Sequence, residues 1–172
     1  MKIQAATVDD MHRVGSALGK WARGGDLLML NGPLGAGKTT LTQGIARGMN
    51  IAAQVSSPTF VIAQIYRGQQ IDLVHVDAYR LSSLDELDAL DLDASLDDSL
   101  TVVEWGAGKV EVLSQDRVEV DIERPIGSEA GNEPDDLFDD APRTLTFRAI
   151  GPRATAYMDD VRTALADMVI SV

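Results

Sequence analysis

Eight consecutive residues, Gly32-Pro33-Leu34-Gly35-Ala36-Gly37-Lys38-Thr39, join three glycines to a lysine and a hydroxyl. The spacing is G-x-x-x-x-G-K-[ST] at every fixed position. A phosphate chain is a dense anion that converging backbone N–H groups can hold, and glycines let the chain approach it without side-chain clashes. A helix leading out of such a turn aims its free amides and the positive end of its dipole at the anion. Lys38 then brings a point charge to the β- and γ-phosphates, and the Thr39 hydroxyl can take a magnesium position. The plain alternative is an ordinary Gly-rich turn before a helix. The flanking sequence argues against it, because an apolar run, Asp26 to Asn31, feeds in and a helix with the stripe Leu41, Ile45, Met49 leads out.

A magnesium-linked phosphate site needs a second anchor, usually an acid at the carboxyl tip of a buried strand. Asp77 ends Leu73-Val74-His75-Val76-Asp77, and Glu104 ends Leu100-Thr101-Val102-Val103-Glu104. In an open α/β sheet both tips border the ligand crevice. Tip acids can also simply cap the following turn. His75, between two valines, reads as a satisfied strand histidine, and with only His12 beside it a histidine-rich metal site is excluded. Ser56-Ser57-Pro58-Thr59-Phe60 follows the first helix, where a switch segment would offer the Thr59 hydroxyl to a γ-phosphate. Trp105 is either a core aromatic or a lid over the ligand.

The elements that must carry these residues follow from periodicity. Lys2 to Ala6 reads as a short edge strand. Thr7 caps a helix whose stripe is Met11, Val14, Leu18 and Trp21, stopped by Gly24-Gly25. Phe60 to Tyr66 and Ile71 to Asp77 form a hairpin, and Ser83-Leu84-Asp85-Glu86 has capping-box spacing for a short acidic helix. Val118, Val120 and Ile122, and later Leu145 and Phe147, alternate with polar residues as strands with one wet face. Pro152 opens a C-terminal helix that runs through Met158, Val161, Leu165 and Met168. The expectation is one α/β domain spanning 1–172, a three-layer sandwich of the P-loop NTPase type with a mixed, largely parallel central sheet.

The net charge of −12 is concentrated. Seven acids and no base lie between Ser82 and Leu100, and six acids and no base between Pro125 and Pro142. The remaining chain holds 15 basic and 14 acidic residues, so the phosphate-binding half is close to neutral. Direct nucleic-acid binding is disfavoured, since it needs clustered Lys and Arg. The absence of cysteine excludes thiolate chemistry. No apolar run approaches the ~18 residues of a membrane span, and no signal peptide is evident, so a cytoplasmic protein is expected. Residues 125–142, rich in Pro, Gly and acid, read as a disordered insertion.

The segments Gly32-Pro-Leu-Gly-Ala-Gly-Lys-Thr-Thr40, Ser57-Pro-Thr-Phe60, His75-Val-Asp-Ala-Tyr-Arg80-Leu81 and Val103-Glu-Trp105 occur in that order. Together they resemble the bacterial TsaE family, over about Thr7 to Ile122. The resemblance implies a magnesium-dependent ATPase required for threonylcarbamoyladenosine modification of tRNA next to the anticodon. It implies work on or with a TsaB–TsaD partner complex, and contact with tRNA only through those partners. It carries nucleotide binding onto Gly35, Ala36, Gly37, Lys38, Thr39 and Thr40, with Thr59 switch-like and Trp105 beside the site. Magnesium falls to Thr39 and Glu104, with Asp77 as the strand-end acid, and Arg143 is the nearest match to an arginine that approaches the nucleotide. The acidic 82–100 segment is then expected to face a basic patch on the partners.

Two other readings stand beside this one. A P-loop kinase acting on a small molecule would close an Arg-bearing lid over the phosphates, and the 82–100 segment has no base. A nucleotide-sensing module would need Lys38 but not Glu104. No N/T-K-x-D stretch for reading guanine is present, and residues near Thr7 to Asp10 are the expected adenine side.

Overall fold

A strand whose residues are apolar on both faces has to be covered on both sides, and Leu27-Leu28-Met29-Leu30 sits at the middle of the sheet for that reason. The computed structural model describes residues 1–58, 62–124 and 141–171. Its elements are β1 (Lys2–Ala5), α1 (Val8–Trp21), β2 (Leu27–Asn31), α2 (Lys38–Gly48), β3 (Ala63–Tyr66), β4 (Asp72–Asp77), α3 (Leu84–Asp88) and α4 (Asp93–Leu96). Then come β5 (Ser99–Glu104), β6 (Arg117–Glu123), β7 (Arg143–Ile150), α5 (Pro152–Ala164) and β8 (Val169–Ser171). The described strands form one sheet in the order β3-β4-β5-β2-β6-β7-β1-β8. Strands β4, β5, β2 and β6 are mutually parallel, while β3 and then β7, β1 and β8 add on antiparallel at the two sides.

Alternation along the strands divides the apolar residues between two cores. Leu28, Leu30, Leu73, Val102 and Val120 point to the face packed by α1, α2 and α5. Leu27, Met29, Val74, Val76 and Val103 point to the other, which Leu81, Leu92 and Val110 cover. This is the three-layer arrangement expected from the sequence.

Three local expectations are corrected. β1 is not an edge strand, because β8 pairs with it and takes the edge. The last helix ends at Ala164, so Met168 follows it and leads into β8. The acidic segment holds two short helices, α3 and α4. The insertion at 125–142 lies outside the described residues except for its last two positions.

Two features hold the frame that carries the loop at 32–37. Helix α1 is capped by Thr7, whose hydroxyl accepts from Asp10 N while Asp10 accepts from Thr7 N at 3.0 Å. Gly15 then faces Gly44 of α2, Gly19 lies against the Ile45 backbone and Gly48 against the Ser16 backbone, so the two helix backbones touch, and Ser16 Oγ donates to Gly44 O at 3.2 Å.

At the opposite end of the sheet, Asp26 is only 5% exposed. Its Oδ1 accepts from Arg153 Nε at 2.8 Å and its Oδ2 from Arg23 N at 2.7 Å. Arg153→Ala leaves one oxygen of a buried carboxylate unpaired. Urea unfolding should show a loss of about 2 kcal/mol, and a loss below about 0.5 kcal/mol, as at an ordinary surface site, would contradict this role.

Candidate functional site

The loop between β2 and α2 is shaped by positive-φ glycines. Gly35 has φ 76° and Gly37 φ 105°, conformations that side-chain-bearing residues rarely adopt. Gly37 is the N-cap of α2 without a side-chain cap, so the first amides of that helix have no side-chain acceptor. Lys38, the first residue of α2, is 6% exposed. Its Nζ donates to Gly32 O at 2.7 Å and Pro33 O at 2.9 Å, and lies 4.2 Å from the centroid of the Trp105 ring. Burial pushes the Lys38 amine below the ordinary lysine range, while the charges of Glu104 and Asp77 pull it back up. A lysine depressed in this way holds its proton less tightly than in the unfolded chain. Its own contribution to stability therefore rises with pH between the depressed value and the ordinary ~10.4.

The parallel register puts the acids at one level. Asp77 is the partner of Glu104 across β4 and β5, and Glu104 is the partner of Leu30 across β5 and β2. Thr39 Oγ1 lies 3.5 Å from Glu104 Oε1, and the same oxygen is 2.8 Å from His75 Nε2. Asp77 also serves its own turn, since Oδ1 accepts from Tyr79 N at 2.9 Å. The turn-capping alternative is thus realised by one of its oxygens. Trp105 adopts φ 59°, and its ring meets Tyr79 edge-on at 5.4 Å. Lys109 Nζ donates to Ala78 O at 2.7 Å, tying the turns after β4 and β5 together.

A cavity of about 610 Å³ opens between these groups. It brings together Gly35, Gly37, Lys38, Thr39, Thr40, Asp77, Glu104, Trp105 and Arg143. Ala36 is buried and lines a smaller adjoining hollow with Thr7, Val8, Met11 and Arg143. Thr59 lies outside the described residues, although Ser57 reaches the cavity wall. Val8, within the Thr7 to Asp10 stretch expected on the base side, lines the cavity, whereas sequence reasoning did not single out Leu34 and Tyr79 as lining residues. Tyr79 had a sequence signal, standing two residues after Asp77 in the same segment, and it is 67% exposed.

Among the described residues no three His, Cys, Asp or Glu side chains form a ready metal cage. The donor set is a hydroxyl with two carboxylates, all hard oxygens. That set fits magnesium, which usually keeps waters and takes one or two carboxylates together with substrate phosphates. Also among the described residues, no helix is long and apolar enough to cross a membrane.

A glycine-shaped loop between a central parallel strand and a helix, with acids at the neighbouring strand tips, defines the P-loop NTPase fold. The family model described as threonylcarbamoyl adenosine biosynthesis protein TsaE matches residues 5–130. The chain belongs to the TsaE family, and its role lies in tRNA threonylcarbamoyladenosine biosynthesis. A tRNA threonylcarbamoyladenosine biosynthesis protein TsaE of Streptomyces coelicolor is 51% identical over 150 residues, covering 85% of this chain and 95% of that one. The protein of the same name from Bacillus subtilis is 35% identical, covering 89% and 88%. The crystal structure of Bacillus subtilis YdiB superposes with a TM-score of 0.72 at 31% identity, covering 95% of this chain and 94% of that one.

Proposed function

We propose that this chain is a magnesium-dependent ATPase that supports tRNA threonylcarbamoylation by acting on or with a TsaB–TsaD complex. The observation carrying the reading is the convergence of Lys38, Thr39, Asp77 and Glu104 on one cavity beside a glycine-shaped loop. The loop amides and Lys38 bind and neutralise the β- and γ-phosphates, and the hollow beside Thr7 and Val8 takes the base side of the nucleotide. Thr39, Glu104 and Asp77 hold magnesium, which when bound would neutralise phosphate charge. The carboxylates of Glu104 and Asp77 also accept hydrogen bonds from a water placed for attack. Gly35, Ala36, Gly37 and Thr40 shape the phosphate seat, Trp105 closes its side, and Arg143 approaches from β7. Turnover is slow in the isolated protein and rises when the partners complete the site. The contact with tRNA runs through those partners, in keeping with the acidic charge.

Phosphate arriving at Lys38 draws the amine away from the Trp105 ring. Titrating Trp21→Phe protein with ADP should therefore change its tryptophan emission, and Trp105→Phe should remove that change. An unaltered emission spectrum at saturation would contradict the placement of the phosphates.

The function itself is tested by reconstituting tRNA modification with and without the protein. Wild type should restore the modified nucleoside, while Lys38→Ala and Glu104→Ala should not. Full activity of Glu104→Ala would favour a nucleotide sensor, and a phosphorylated small-molecule product would favour a kinase.

A further inference from the structure

His75 has no exposed surface, and it stands in the middle of β4 between the core residues Val74 and Val76. Burying an imidazole there is unfavourable unless its nitrogens are bonded. Only one is. Nε2 meets Glu104 Oε1 at 2.8 Å, whereas Nδ1 is buried without a hydrogen-bond partner among the described residues. A carboxylate only accepts, so the ring nitrogen facing it carries the hydrogen, and the other ring nitrogen is the orphan. An aliphatic side chain would fill this position without the orphan, so the contact with Glu104 is what the histidine supplies.

The geometry of that contact is directional. His75 and Asp77 lie on the same face of β4, and Glu104 sits two residues beyond Val102, the cross-strand partner of His75. His75 therefore reaches Glu104 diagonally from below, and it does not itself line the cavity. Glu104 does line it, and its Oε1 is also the oxygen 3.5 Å from Thr39 Oγ1. A glutamate has three rotatable side-chain bonds, and a fixed donor behind one oxygen removes much of that freedom. Partners one step removed from a ligand typically affect metal affinity by about 10- to 100-fold.

We propose that His75 is a positioning residue for Glu104, its Nε2–H fixing Oε1 so that the carboxylate is already aimed at the cation and the Thr39 hydroxyl. The proposal rests on the reading of Glu104 as a magnesium ligand. His75 touches neither nucleotide nor metal, and its effect passes entirely through Glu104.

The test compares His75→Gln, whose amide retains a donor, with His75→Met, which fills the space without one. His75→Leu is the second donorless variant, read if His75→Met does not fold. Mant-ADP affinity is measured in EDTA and in magnesium, and thermal melting reports the fold. His75→Met should bind mant-ADP in EDTA like wild type, lose the gain from magnesium by about 10-fold or more, and be rescued by His75→Gln. An undiminished magnesium gain in a folded donorless variant overturns the proposal, as does equal loss in His75→Gln. Glu104→Gln separates the two layers. Loss of the magnesium gain in Glu104→Gln but not in His75→Met sinks His75 alone, while an intact gain in Glu104→Gln sinks the reading of Glu104 and this proposal with it.

Discussion

Gly48→Ala and Gly19→Ala should each lower stability by about 3 kcal/mol or more. A Cβ at Gly48 would lie 2.1 Å from Ser16 O, and one at Gly19 would lie 2.1 Å from Ile45 O. Both obstructions are backbone carbonyls, which cannot swing aside as a side chain would. Helix propensity acts the other way, favouring alanine over a mid-helix glycine by about 1 kcal/mol. The steric term wins because relief requires α1 and α2 to move apart and open the packed core around Leu18 and Leu41. The control is Gly108→Ala, where φ is 76° but nothing lies within 4 Å. Backbone strain alone there should cost about 1 kcal/mol. Urea titrations of the three variants separate collision from strain, and a Gly48→Ala midpoint near that of Gly108→Ala would refute the close crossing. Function is coupled to the same contact. Helix α2 begins at the phosphate loop, so a displaced α2 displaces Lys38 and Thr39.

Lys38→Ala should weaken nucleotide binding by at least about 100-fold while leaving the protein folded. Charge-assisted hydrogen bonds contribute about 1.5–3 kcal/mol each, and an amine serving two phosphates supplies at least two, which exceeds a factor of 100 in affinity. Among the described residues the amine's hydrogen bonds go to Gly32 O and Pro33 O, within its own loop, and its other close neighbour is the Trp105 ring at the cavity wall. Its loss therefore leaves the sheet and both cores untouched. Calorimetry with a non-hydrolysable ATP analogue, which keeps both the β- and γ-phosphates, should show the lost affinity, and a melting curve close to wild type should show the retained fold. Affinity within 10-fold of wild type would mean that the phosphates sit elsewhere.

Much of this site was legible because its signals are local. The loop, its lysine and its threonine are contiguous, and the two acids close runs of buried strand. Their meeting depends only on parallel pairing, which brings strand tips to one edge of the sheet. The failures were non-local or equivocal. β1 reads as an edge strand because its partner β8 comes from the far end of the chain and has only three residues. Met168 continues the helical spacing of Val161 and Leu165, but the backbone at Leu165 already departs from the helix with φ −115°. Trp21 matches the α1 stripe and yet is 36% exposed, because the apolar face is complete at Leu18. The spacing of Ser83 and Glu86 was right in half. Ser83 Oγ accepts from Glu86 N, but the Glu86 carboxylate turns to Ser82 N and Oγ. For His75, sequence identified a buried strand histidine. Its single bond to Glu104 required the diagonal between two strands that are 22 residues apart in the chain.

We propose that this site hydrolyses ATP with magnesium in the service of its partners. Its most direct test is phosphate release from ATP by the purified protein, alone and with TsaB–TsaD, in wild type and Glu104→Gln. Slow release alone, acceleration by the partner pair, dependence on magnesium, and loss of the accelerated rate in Glu104→Gln are the expected results. Rapid release by the isolated protein that the partners leave unchanged, or an accelerated rate that survives Glu104→Gln, would contradict it.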